Sequence, residues 1–228
     1  MEMTASTVTL ARGFEGYLAS PAQARGPGIL VLSDMFGLNE PIRAVADHYA
    51  GLGHAALVPN LFWRSDIPGA ISYDDSQHAK AWARLKALDL DVVAADMRVA
   101  VDWLRVRPSS HGKVAAIGFC GGGRFAYLAA VRCGVDAAAS LYGLGISVHL
   151  GEIGNARGLV QLHYGLKDQH VPRDEIDKVA DGLRGRPNVE VFLYPEAGHS
   201  FANPVRPTYD PAAAKLAAER IEAMFKAI

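Results

Sequence analysis

Short unbroken apolar runs alternate with longer amphipathic stretches along almost the whole of this 228-residue chain, and that alternation leaves few folds open. Gly28-Ile29-Leu30-Val31-Leu32-Ser33 and Ala55-Ala56-Leu57-Val58 have no polar face, as strands covered on both sides require. Val114 to Ile117, Ala137 to Tyr142, Leu159 to Tyr164 and Val189 to Tyr194 continue the series, while Thr7 to Leu18 reads as an edge strand or hairpin. From His78 to Val106, the residues Leu85, Leu88, Val92, Met97, Val101 and Leu104 mark one face of a helix. Gly121 to Val131 reads as a helix of small residues, and Asp174 to Leu183 as one that starts after Val171-Pro172. Pro211 to Ile228 is a final amphipathic helix with Leu216, Ile221, Met224 and Phe225 facing in. The expected class is α/β, a mostly parallel central sheet with helices on both faces, in one domain over residues 1–228. Phe62 to Ser76 has no period and reads as a lid or substrate wall.

Charge and cysteine usage narrow the function classes. Twenty-three basic residues against 24 acidic ones give a net charge of −1, which excludes a basic footprint for nucleic acid. Two cysteines, Cys120 and Cys133, are too few for a secreted disulfide framework. The first residues carry neither a basic nor an apolar leader region, and no apolar run approaches the ~20 residues that cross a bilayer. A cytoplasmic protein without membrane or nucleic-acid partners is expected. No metal or cofactor is expected either, because the eight histidines are scattered and neither H-E-x-x-H nor C-x-x-C occurs.

The most informative segment is Gly118-Phe119-Cys120-Gly121-Gly122, which matches G-x-S-x-G with sulfur in place of oxygen. It falls where an expected strand gives way to an expected helix. A nucleophile on so cramped a turn needs glycine two positions away on either side, because a Cβ there would clash. The helix starting at Gly121 turns its positive end toward the sulfur and favours the thiolate, and the Gly121 N–H is placed to bind an oxyanion. A buried core cysteine is the plain alternative. Gly121-Gly122-Gly123-Arg124-Phe125-Ala126 also satisfies the dinucleotide pattern G-x-G-x-x-A, but no acidic residue ends the next strand at Leu141-Tyr142-Gly143. Cys133, late in the same helix, reads as packing.

A thiol nucleophile needs a proton acceptor, and the acceptor needs a group that fixes its tautomer. His199 lies in Glu196-Ala197-Gly198-His199-Ser200-Phe201, beyond a strand ending at Tyr194. Asp168 lies in Gly165-Leu166-Lys167-Asp168-Gln169-His170, beyond the strand through His163. The order Cys120, Asp168, His199 is nucleophile, acid, base. Taken singly, His199 reads as a surface histidine and Asp168 as a turn or capping carboxylate; His170 is a second-choice base. Phe36, Trp82, Tyr142 and Phe201 are candidates for an apolar pocket wall, although aromatic residues at such positions also serve as core.

The chain resembles the dienelactone hydrolase family from Leu30 to Ala227. The marks are Asp34-Met35-Phe36-Gly37-Leu38-Asn39, Pro59-Asn60-Leu61-Phe62, Gly118-Phe119-Cys120-Gly121-Gly122-Gly123, Tyr142-Gly143, Lys167-Asp168 with Val171-Pro172, and Glu196 to Phe201. The resemblance implies a monomeric α/β-hydrolase fold that opens a lactone or small ester through a Cys120–His199–Asp168 triad and a thioester. It implies oxyanion donors at the backbone amides of Gly121 and Met35. It places the family's thiol-modulating glutamate at Asp34, one methylene shorter. The arginines that bind a substrate carboxylate in the family fall on His78 and Asn203, so an altered substrate pocket is expected, with Arg64 or Arg206 as substitutes. A hydrolase-fold binding protein with weak turnover and a thiol redox-responsive protein are the alternatives.

Overall fold

The computed structural model describes residues 3–24 and 26–228, and the chain divides into two compact units, 1–115 and 116–228. In the first, β1 (Met3–Ala11) and β2 (Phe14–Pro21) form an antiparallel hairpin turned at Arg12-Gly13, where Gly13 takes a φ of 77°. Antiparallel to β2 lies β4 (Ala56–Pro59), which pairs in parallel with β3 (Gly28–Leu32), giving the order β1-β2-β4-β3. Every residue of β3 and β4 is buried, which both faces of the sheet must be covered to achieve.

Helix α1 (Glu40–Gly51) has no counterpart among the periodic stretches of the sequence. Its inward set is Ile42, Ala46, Tyr49 and Ala50, and the two alanines leave little apolar contrast to read. Its start is nevertheless well specified: the Asn39 side chain accepts the Ile42 N–H at 3.3 Å, and Pro41 occupies the first turn.

The expected single helix over 78–106 is two, α2 (His78–Lys86) and α3 (Leu90–Arg105). Asp89 interrupts it by accepting the Asp91 and Val92 amides as an N-cap. Met97, Val101 and Leu104 face the core as expected, but Val92, in the first turn of the new helix, is 41% exposed.

In the second unit the order is β5-β6-β7-β8, with β5 (Val114–Phe119) entering from the first. β6 (Ala137–Leu141), β7 (Leu159–Gly165) and β8 (Val189–Tyr194) pair in parallel. Helix α4 (Gly121–Leu128) continues into one π turn and stops at Gly134, whose φ is 66°. Helix α5 (Arg173–Leu183) packs beside β8, and α6 (Pro211–Lys226) packs on β6 and β7. Ile221, Met224 and Phe225 of α6 are buried as expected, whereas Leu216 is 41% exposed. No helix among the described residues is long and apolar enough to cross a membrane.

Candidate active site

Cys120 sits between the last residue of β5 and the first of α4, with φ 57° and ψ −117°, a strained conformation for any residue with a Cβ. Its own N–H donates to the Leu141 carbonyl at 3.1 Å and its carbonyl accepts the Gly123 amide at 2.9 Å. The turn closes so tightly that a Cβ on Gly118 would fall on the Gly122 carbonyl, while one on Gly123 would stand 2.7 Å from the Leu141 oxygen. The glycine requirement read from the sequence thus holds at Gly118, and Gly123 extends it. Cys120 as a whole is 7% exposed, far less open than a solvent-facing nucleophile would be. Cys133 is half-buried beyond the opposite end of α4.

Two neighbouring strands set the next pair. The parallel register of β7 and β8 matches Gly165 with Tyr194, so the loops that follow leave the sheet side by side. Leu166 N–H donates to Tyr194 O at 2.9 Å and Lys167 N–H to Ala197 O at 3.0 Å, and Gly165 has no room for a Cβ beside the Ala197 carbonyl. An exposed Lys167–Glu196 ion pair crosses the same two loops.

Zipped in this way, the loops bring Asp168 Oδ2 to 2.8 Å from His199 Nδ1. The Asp168 side chain has no exposure, and that of His199 has 11%. The other Asp168 oxygen accepts the amides of His170 at 2.7 Å and Val171 at 2.9 Å. Asp168 is therefore a turn carboxylate and a histidine partner at once, and the two amides prevent it from rotating away.

Tyr142 links the two parts. It follows Leu141, whose carbonyl holds the Cys120 amide, and its ring lies 5.1 Å from the His199 ring and 5.4 Å from Phe201, which is fully buried. Tyr142 and Ser200 both have positive φ, 41° and 61°. Three of the four positive-φ residues other than glycine among the described residues therefore cluster here, as strained backbone commonly does at working sites. The His170 ring packs edge-on to His199 at 4.7 Å. Asn203 is a turn residue: its N–H donates to Ser200 O and its side chain accepts the Val205 amide.

The remaining expected site residues lie in the first unit. Asp34 accepts the Phe36 amide at 2.9 Å through one oxygen and the Tyr73 hydroxyl at 2.9 Å through the other. The Phe36 ring meets Tyr73 and His78 at 4.6 and 5.2 Å, so the sequence-distant Phe36 and His78 do come together. Lys86 lies 5.3 Å from the centre of the Trp82 ring. Arg64 donates to Asp96 at 2.8 Å and stacks on Trp63, which already commits it.

Two arginines escaped the sequence reading. Arg84, 4% exposed, donates to the carbonyls of Met35, Ile67 and Gly69 at 2.6 to 2.9 Å and stacks 3.9 Å from the centre of the Phe62 ring. Burial lowers its pKa to about 10, with Asp34 opposing the shift. Arg124 stands in the first turn of α4. Both lie at helical positions where a charged residue usually faces water, and nothing in a one-dimensional pattern marks them.

Comparison with known proteins identifies the family and the fold. The chain is 33% identical to the carboxymethylenebutenolidase of Pseudomonas putida over 91% of its length and 88% of that protein. A dienelactone hydrolase-like promiscuous phosphotriesterase from metagenomic libraries superposes with a TM-score of 0.81 at 26% identity, covering 98% of both chains. The Anabaena variabilis dienelactone hydrolase shares the fold at 20% identity and a TM-score of 0.69, covering 99% of this chain and 97% of that one. The fold is that of the α/β-hydrolases. Residues 14–228 match the model of the dienelactone hydrolase family, and the chain belongs to that family of hydrolases.

Proposed function

We propose that the protein hydrolyses a lactone or small carboxylic ester with Cys120 as nucleophile, through a thioester acyl-enzyme. The observation that carries this reading is the 2.8 Å contact between His199 Nδ1 and the fully buried carboxylate of Asp168, with the His199 ring against Tyr142, the residue after the Leu141 carbonyl that holds the strained Cys120 amide. Cys120 sulfur adds to the substrate carbonyl while His199 Nε2 takes the thiol proton. The Gly121 amide receives the oxyanion, and the family resemblance assigns a second donor to the Met35 amide. Collapse of the tetrahedral adduct forms the thioester, and the leaving oxygen takes its proton from His199. Water, deprotonated by His199, then releases the acid and restores the thiol. Asp168 fixes the imidazole tautomer and balances its charge when protonated. Tyr142 and Phe201 supply apolar wall around the histidine. Asp34 is assigned the thiol-modulating role by resemblance alone, and its two oxygens already hold Phe36 and Tyr73.

The test is 4-nitrophenyl ester turnover by the wild type and by Cys120→Ala. Loss of both the nitrophenol burst and steady turnover, by roughly a thousandfold or more, is expected when a triad nucleophile is removed. Activity that survives Cys120→Ala overturns the reading.

A further inference from the structure

Arg124 stands in the first turn of α4, four residues after Cys120, the residue that precedes the helix. Its N–H reaches the Cys120 carbonyl at 3.4 Å. The residue is half-buried, and its Nε is shielded from solvent without a hydrogen-bond partner. No carboxylate or carbonyl among the described residues accepts from its guanidinium. Four arginines of this unit are instead committed: Arg132 holds Glu152, Arg173 holds Asp177, Arg184 holds Asp181 and Arg220 holds the Tyr194 hydroxyl, while Arg157 and Arg186 are exposed to water.

The direction of the side chain is defined by the loop after β6. One Arg124 terminal nitrogen lies 3.6 Å from where a Cβ on Gly145 would stand, so the guanidinium runs beside the loop that begins at Tyr142, the residue whose own ring lies 5.1 Å from that of His199. Burial lowers the Arg124 pKa, and Cys120 opposes that shift, so the two side chains lie within electrostatic reach of each other. A guanidinium partly withdrawn from water without an acceptor is costly, and an arriving anion offsets that cost.

We propose that Arg124 is a specificity-determining residue of the Cys120 site, receiving a carboxylate carried by the ester or lactone substrate. A planar fork suits a carboxylate better than any single-point anion. The guanidinium belongs to the first turn of the helix that starts just after the nucleophile, which favours short diacid half-esters over long-chain or neutral esters. This rests on the reading of Cys120 as nucleophile.

The experiment measures kcat/KM for 4-nitrophenyl hydrogen glutarate and for the neutral 4-nitrophenyl methyl glutarate, corrected for spontaneous hydrolysis. Wild type, Arg124→Gln, Arg124→Lys and Cys120→Ala are compared. The anionic-to-neutral ratio is expected to fall about ten- to a hundredfold in Arg124→Gln, mainly through KM, and to recover partly in Arg124→Lys. A second measurement needs no turnover: the ratio of Cys120 alkylation rates by iodoacetate and iodoacetamide falls in the same order. If Arg124→Gln leaves both ratios at the wild-type value, or lowers anionic and neutral rates equally, the proposal is overturned. If Arg124→Gln does not fold, the alkylation ratio of Arg124→Lys decides, a drop supporting the anion contact and an unchanged value overturning it. Cys120→Ala separates the two levels: neutral-ester activity that survives it defeats the nucleophile, whereas its loss with unchanged Arg124 ratios defeats only this proposal.

Discussion

His163 shows what complete burial does to one titratable side chain. It has no exposure, its Nδ1 lies 2.8 Å from the Tyr194 hydroxyl, and its Nε2 has no partner. Burial, with a smaller push from Arg220, lowers its pKa to about 3. The unfolded chain, with an ordinary histidine near 6.5, takes up the proton first, so stability is full above about 6.5 and is lost as pH falls toward about 3. Urea unfolding of the wild type between pH 7 and 4 is expected to show a slope approaching about 1.4 kcal/mol per pH unit from this residue. His163→Leu should flatten that slope; parallel curves for the two proteins contradict the assignment. At Asp168 the effect belongs to chemistry. Asp168→Asn keeps the shape and can still hold the His170 and Val171 amides, but presents the wrong partner to His199 Nδ1. A drop in kcat of about a hundred- to ten-thousandfold with little change in melting temperature is expected.

Among the elements, the turn between β5 and α4 tolerates least. Gly118→Ala drives a methyl into the Gly122 carbonyl, and Gly123→Ala meets backbone at 2.7 Å, so both should cost stability and disturb Cys120, with Gly118→Ala the worse in thermal melts. The break between α2 and α3 is gentler. Asp89→Ala removes a side-chain cap and should cost about 1 kcal/mol by chemical denaturation, with the helix boundary blurred. The same break shows where periodicity misleads. Apolar spacing from Leu85 to Leu104 continues in phase across 87–89, so it conceals a boundary that a capping carboxylate imposes. Leu216 fails for the opposite reason, since one leucine in an alanine-rich helix counts heavily in a pattern yet still faces water.

Across the whole chain, what was legible follows from how much chemistry constrains each position. The buried strands announce themselves because a strand with two covered faces takes mainly apolar residues, with His163 and Gln161 of β7 among the exceptions. Asp168 and His199 were legible because their loops leave adjacent strands, which brings their side chains within reach of the 2.8 Å contact they make. Arg84 and Arg124 were not, because burial of a charge is decided by residues far away in sequence. Arg84→Met should cost about 2–4 kcal/mol by leaving buried carbonyls without a donor, with Arg84→Lys intermediate in the same melts. That guanidinium also settles the character of residues 62–76, which reach no regular helix before 75. Ile67 and Gly69 hang on it, Pro68 O accepts from Asn60, and Ile71 N–H donates to Phe36 O. Such a segment is bolted from behind. Anyone seeking a new substrate range by grafting a foreign stretch there would transplant a keystone's arch without its keystone, and the sound unit of exchange is that stretch together with the helix that carries Arg84.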